Sequence, residues 1–321
     1  MRAVTYAGAG GNEVVSLSER PDPAPTAHEV LIAARFAGLN WADIAQRNGF
    51  YPAPPGSPQD IPDLEVAGTV VAAGEAVRAW SVGDRVFGLV GGGGLADRVI
   101  AHERHLAAIP EGMADDVAAA IPEAYITAHD AVFSQSGLEL GEVLLVNGAN
   151  GAVGSAGVRL GLAAGARVVA SCRSPESARG LAGEGAIIIT PDEIPDRLPA
   201  LGGADVVLEL VGGPNLARDV AALAVRGRIV IVGADAGPQA EISLRGLMGK
   251  RATLRGTVLR ARPLEEKAAA VQVFTRSVLP VLAAGRALPE IDRTFPAEQV
   301  TDAFDHMAKP GKTGKVLLQF A

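Results

Sequence analysis

One stretch limits the folds open to this 321-residue chain more than any other: two apolar runs joined through a glycine-rich turn and a helix. Glu142-Val143-Leu144-Leu145-Val146-Asn147 leads into Gly148-Ala149-Asn150-Gly151-Ala152-Val153-Gly154. A helix is expected through Leu160–Ala164, and Ala166-Arg167-Val168-Val169-Ala170-Ser171 follows. Short continuous apolar runs of this kind are strands covered on both faces, as in a parallel sheet flanked by helices. Further runs at Ala186–Ile189, Asp205–Leu210 and Arg228–Val232 repeat the pattern. The expected class is α/β, with a doubly wound parallel sheet.

The turn itself suits a dinucleotide. Gly151 lets backbone approach a pyrophosphate, and Gly154 lets the helix pack closely on the strand. The helix N-terminus then offers free N–H groups and the positive end of its dipole to the phosphates. The usual first glycine of G-x-G-x-x-G is Ala149 here, with Gly148 directly before it. An acidic residue at the end of the second strand would accept from a ribose 2′-OH and repel a 2′-phosphate. This chain has Ser171-Cys172-Arg173-Ser174 and no carboxylate until Glu176. A guanidinium with hydroxyls suits a phosphate, so NADPH is favoured over NADH, the plainer reading of Arg173 being a solvated surface arginine. Cys172 reads as a small apolar filler at the strand end.

Before about Asp115 the texture is different, β-rich and full of turns. Glu29–Ala34 and Ala67–Val71 are strand-like, and Val82–Phe87 reads as turn into strand. The run Gly91–Gly94 reads as a substrate-gating loop or as a plain flexible connection. After about Arg260 one long helix, Pro263–Ala284, and a final strand, Lys315–Phe320, are expected to return to the first domain. The expected divisions are residues 1–120, 121–260 and 261–321. Hydrophobic residues at 48% and charged residues at 20% suit a soluble globular protein. A net charge of −7 without basic blocks offers nothing to nucleic acid or an anionic membrane. Cys172 is the one cysteine, so no internal disulfide can form. No apolar stretch approaches the roughly 20 residues of a membrane helix, and Met1–Tyr6 runs into a strand without a signal-peptide core, so the expected location is the cytoplasm.

Eight motifs in order then resemble the zinc-independent quinone oxidoreductases, the zeta-crystallin-like branch of the medium-chain dehydrogenase/reductase superfamily. They are Ala37–Asp43, Gln46–Pro52, Pro62–Gly68, Val82–Val86, Ile126–Ala128, Gly148–Gly154, Gly256–Arg262 and Thr313–Val316. The resemblance implies a GroES-like β-rich catalytic domain and a Rossmann domain of strand order 3-2-1-4-5-6, with the active site between them. It also implies a homodimer paired through edge strands, Arg251–Gly256 being the candidate. Zinc-dependent relatives place ligands where this chain has Asn40 and Leu64. Its five histidines (His28, His102, His105, His129, His306) show no metal spacing.

By the same resemblance Asn40, Tyr51 and Asp43 form the catalytic set. Asn40 would lie near the nicotinamide, and Tyr51 would reach the pocket as a hydrogen-bond donor or simply pack there. Asp43 would orient the loop. The cofactor would meet Asn40, Thr127, Ala149, Gly151, Ala152, Val153, Arg173, Ser174, Val211, Gly233, Leu259 and Lys315. Ser177 stands where relatives often carry a lysine, leaving the 2′-phosphate to Arg173. Trp41 either narrows the pocket or fills core. The implied activity is NADPH-dependent hydride transfer to a quinone. The alternatives are an enoyl or alkenal reductase, or a non-catalytic NADPH-binding structural or regulatory protein.

Overall fold

The computed structural model describes residues 1–320. Strands β1 (Arg2–Tyr6), β2 (Val15–Glu19), β3 (Glu29–Gly38), β4 (Glu65–Ala73), β5 (Arg85–Leu89), β6 (Arg98–His102) and β7 (Leu106–Ala108) come first. Then follow β8 (Val143–Asn147), β9 (Arg167–Ser171), β10 (Ile187–Ile189), β11 (Ala204–Glu209), β12 (Leu223–Ile231) and β13 (Thr253–Gly256). The last two are β14 (Ile291–Pro296) and β15 (Lys315–Gln319).

The middle group makes a six-stranded parallel sheet of order β10-β9-β8-β11-β12-β13, which is the expected 3-2-1-4-5-6. All five residues of β8 are buried, as a central strand covered on both faces requires. The remaining long strands form a seven-stranded sheet in which β15 lies between β14 and β3. The chain therefore does return to its first sheet, and β14, which the sequence reading lacks, makes the edge. β1 and β2 pair separately as an antiparallel ribbon.

Four helices bear on the site: α1 (Trp41–Arg47), α2 (Asp115–Ala119), α3 (Pro122–His129) and α4 (Ala152–Ala163). The single helix expected over Pro263–Ala284 is two, Leu264–Ser277 and Leu279–Ala283, broken at Val278. Pro280 has no N–H to continue the ladder, and its ring would clash with the carbonyl of Arg276. The run Gly91–Gly94 is neither a gate nor a loose connection. Gly92–Gly94 are buried, and a Cβ on Gly91, Gly92 or Gly94 would fall 2.2–2.7 Å from atoms of Ser57, Pro58, Asp63 or Glu65.

α4 lies hard against the turn that precedes it. A Cβ on Gly154 would stand 2.3 Å from the Gly148 carbonyl oxygen, inside the distance any real contact reaches. Gly154→Ala should therefore lower the unfolding free energy by about 1–3 kcal/mol, read from the midpoint shift in urea, because backbone must move to admit one methyl group.

Candidate active site

Five element ends meet between the two sheets. β3 ends at Gly38, Asn40 caps α1, β4 opens at Glu65, β15 opens at Lys315, and α3 begins with Pro122-Glu123. The Lys315 Nζ lies 2.6 Å from Asn40 Oδ1 and 2.5 Å from Glu65 Oε1. Asn40 Nδ2 donates to Asp63 Oδ1 at 2.8 Å and to Glu65 Oε1 at 3.0 Å. Its backbone N–H donates to Asp43 Oδ2 at 2.7 Å, and the Glu123 N–H donates to Glu65 Oε2 at 2.8 Å.

Lysine can only donate and a carboxylate only accept, so these partners settle which end of the Asn40 amide is oxygen. Both amide hydrogens are used within the protein. What Asn40 can still offer a ligand is an acceptor lone pair, and no donor. It therefore cannot stabilise a developing oxyanion, which leaves that task to another group.

Asp43, Asp63, Glu65 and Lys315 are all at most 1% exposed. Burial pushes the Asp43 carboxyl up to about 7, against the pull of the Asn40 N–H and the Lys315 charge. Burial raises Asp63 well above the usual carboxylate range, with Asp43 and Glu65 adding repulsion. Glu123 is likewise pushed up to about 7, by burial and by Glu65, with Lys315 opposing. Burial alone would lower the Lys315 ammonium, but Glu65, Glu123 and Asp63 raise it instead. Asp63 also adopts φ +83°, sparsely populated for a residue with a Cβ, while its Oδ1 accepts from Asn40 and from the Leu64 N–H.

Tyr51 is held from the far side by Arg260, a residue that the sequence motif contains but does not single out. The guanidinium donates to Gly91 O at 2.8 Å, Tyr51 O at 3.0 Å and Gln46 Oε1 at 2.6 Å, and it lies 5.2 Å from the Tyr51 ring centroid. The Tyr51 hydroxyl has no bonded partner among the described residues, and burial raises its pKa, so it stays a neutral donor. Trp41 fills no core: it is 47% exposed, with the Lys312 ammonium 5.8 Å from its ring.

The residues expected against a cofactor gather at the carboxyl ends of the parallel strands, where ligands of such sheets bind. Ala149 and Gly151–Val153 follow β8, Arg173 and Ser174 follow β9, and Val211 follows β11. Gly233 and Leu259 follow β12 and β13, beside a cleft of about 340 Å³ lined by Ile231–Ala234 and Gly256–Val258. Gly151 caps α4 without a side-chain bond, and the first turn carries no acid, so its N–H groups stay open to an anion. Arg173 is exposed, with no ion-pair or hydrogen-bond partner among the described residues. The Glu209 carboxylate accepts from Val211 N at 2.5 Å and Gly212 N at 2.7 Å, fixing the loop after β11. Thr127 is buried on α3. Lys315 stands apart from this set, its ammonium turned inward to Glu65 and Asn40.

Residues 26–111 match the alcohol dehydrogenase GroES-like domain, and residues 152–276 match the zinc-binding dehydrogenase family. The quinone oxidoreductase of Lama guanicoe is 33% identical over 99% of this chain and 97% of its own length. The chain belongs to the quinone oxidoreductase branch of the medium-chain dehydrogenase/reductase superfamily. As a member it is an NAD(P)-dependent oxidoreductase acting on a small molecule. A mycobacterial protein of the superfamily fold, solved as a complex with NADPH, superposes with a TM-score of 0.88 at 25% identity, covering 99% of this chain and 100% of that one. The CurK enoyl reductase superposes at 0.84 and 25% identity, covering 100% and 99%. No helix of the described residues is long and apolar enough to cross a membrane.

For this oxidoreductase the Lys315–Glu65 pair should be costly to break. Lys315→Met leaves a carboxylate buried without its cation and should cost roughly 3–5 kcal/mol. The deficit against the parent should shrink on acidification, because the stranded carboxyl can then shed its charge by taking up a proton. Urea unfolding of both proteins at acidic and neutral pH checks the size and the sign.

Proposed function

We propose that this enzyme uses NADPH to reduce a quinone, and does so without zinc. The observation that carries the reading is the make-up of the cluster around Asn40. It consists of amide, carboxyl and ammonium groups, with Lys315 supplying the buried positive charge and the apolar Leu64 beside it. Neither thiol nor imidazole belongs to it, and a cluster of amide, carboxyl and ammonium groups bonded to one another suits a site that binds and orients rather than one that ligates a metal.

A nicotinamide cofactor fits the cradle, since the N-terminus of α4 is open and Gly154 seats that helix directly on the turn. When bound, it supplies the hydride. The chain then has three tasks. The N–H groups of Ala152 and Val153, with the Gly151 backbone close by, hold the pyrophosphate, and Arg173 with Ser174 holds a 2′-phosphate. Thr127, Val211, Gly233, Leu259 and the acceptor lone pair of Asn40 orient the ring. Tyr51, a neutral phenol kept in place by Arg260, stabilises the oxyanion that forms on the acceptor.

The catalytic unit is taken as residues 1–120 with 261–321, and the cofactor unit as 121–260. A homodimer through β13 is part of the reading. That strand is an exposed edge, and Leu244, Met248 and Val258 beside it are 69%, 75% and 51% exposed. So is a cytoplasmic setting, which the lone, buried Cys172 suits. Reduction of an α,β-unsaturated carbonyl is the second reading, favoured by the likeness to an enoyl reductase.

Purified protein screened with quinones and enones in chelator, following NADPH absorbance, tests these readings. Oxidation by quinones supports the first, by enones alone the second, and by neither a non-catalytic role. Arg173→Ala should weaken NADPH binding roughly tenfold or more, the worth of a hydrogen bond to a charged group, and leave NADH binding nearly unchanged. Equal losses would make Arg173 a support of the fold. Tyr51→Phe should lower kcat and kcat/KM together by about tenfold with NADPH affinity intact. A variant at full rate on both acceptor classes would leave Tyr51 as packing.

A further inference from the structure

Glu123 belongs to the Asn40 cluster yet differs from its other acids in one respect. Asp43, Asp63 and Glu65 are sealed at 1% exposure or less, whereas Glu123 at the start of α3 is only partly buried. Its backbone N–H is anchored on Glu65, while its carboxyl has one protein partner, the Thr127 hydroxyl at 3.4 Å. No cation is bonded to it, because Lys315 is turned to Glu65 and Asn40. It lies within electrostatic range of the Tyr51 phenol, whose ionisation it opposes. A carboxyl so placed is under-solvated enough to hold a proton and open enough to give it away.

We propose that Glu123 is the general acid of this site, protonating the acceptor oxygen once hydride has been delivered. The proposal rests on the acceptor-reduction reading above. Both electrons arrive with the hydride, which forms the new bond to the acceptor and leaves a hydroquinone monoanion or an enolate. The Glu123 O–H bond then breaks as an acceptor O–H bond forms, and the carboxylate is reloaded from water. Efficient acids titrate near the working pH. Burial, reinforced by Glu65 and opposed by Lys315, places Glu123 there, at about 7. Of the other charged groups, Asp63 is bonded to Asn40, and the Arg260 guanidinium is bonded to Gly91, Tyr51 and Gln46. Asp43 titrates in the same range but is closed off behind Asn40, so its proton has no path to an acceptor.

Two measurements on the full chain test this. Infrared difference spectra taken about one unit either side of neutral pH should show the parent losing a protonated-carboxyl band, part of which is missing in Glu123→Gln. In steady state with an enone, the parent rate should fall about tenfold per pH unit above neutrality. Glu123→Gln should be flat and at least about tenfold slower on the acid side, while Glu123→Asp keeps a limb. NADPH affinity should stay within about twofold in both variants, since neither touches the phosphate cradle. Identical infrared changes in parent and Glu123→Gln, or an unaltered alkaline limb, would overturn the assignment. Absence of NADPH oxidation with every acceptor would remove the reaction and the role together, whatever the infrared spectra show about Glu123.

Discussion

The rest of the structure depends on one buried ion pair, Lys315 with Glu65. Taking two charges out of water is expensive, and their attraction offsets the cost only where the remaining lone pairs and protons are also satisfied. Here they are: Glu65 takes the Asn40 amide on one oxygen and the Glu123 N–H on the other, and Lys315 also reaches the Asn40 oxygen. The pair therefore ties together the end of β3, the cap of α1, and the starts of β4, α3 and β15. The backbone makes room for it at Gly38, where a Cβ would sit 2.4 Å from both Glu65 Oε1 and Lys315 Cε.

Much of the fold was legible because its signals are local. Strands buried on both faces must be continuously apolar, so the order of runs from Val143 to Ile231 could be read along the chain. Errors fall where a local signal misleads. The run Arg228–Val232 marks only part of β12: the strand begins at Leu223 and passes through Arg226 at φ +70° and Gly227, which carry no apolar signal. The largely apolar residues from Leu279 to Ala284 continue a helical period that Pro280 interrupts. At the site, Asn40, Asp43 and Tyr51 lie within twelve positions and were found by motif. Glu123 and Arg260 were not. Each reaches the cluster across 58 to 214 positions of chain, and nothing in their own neighbourhoods sets them apart from ordinary helix and loop residues.

The two sheets are joined by polar contacts as well as apolar ones. Arg260 spans from the segment after β13 to α1, the Tyr51 loop and the glycine run. Gly314 donates to Asn150 O at 3.0 Å, and Asn150 Nδ2 donates to Lys312 O at 3.1 Å, so the turn before α4 is stitched to the entry of β15. The turn that would hold the phosphates and the strand that carries Lys315 are thus neighbours by direct backbone contact. Placement of a cofactor and placement of the charge beneath Asn40 are set by the same few residues.

The position of β15 in the chain has a consequence for how the molecule comes into being on the ribosome. Chains emerge from the N-terminal end, and early segments start to organise before late ones exist. β3 and β4 are made more than 200 residues before the strand at residues 315–319 that lies between β3 and β14. Until it arrives, only the Phe36–Gly38 end of β3 lacks its partner, since β6 already pairs with Glu29–Ala33, and the Glu65 carboxylate beside Gly38 has no cation to permit its burial. The intervening sheet draws all six of its strands from residues 143–256, so all of them precede β15 in the chain. The order in which the sheets can be completed therefore differs from the order in which their first strands are made: the second sheet has all its strands before the first has its own β15. The reaction centre cannot assemble before Lys315 is made.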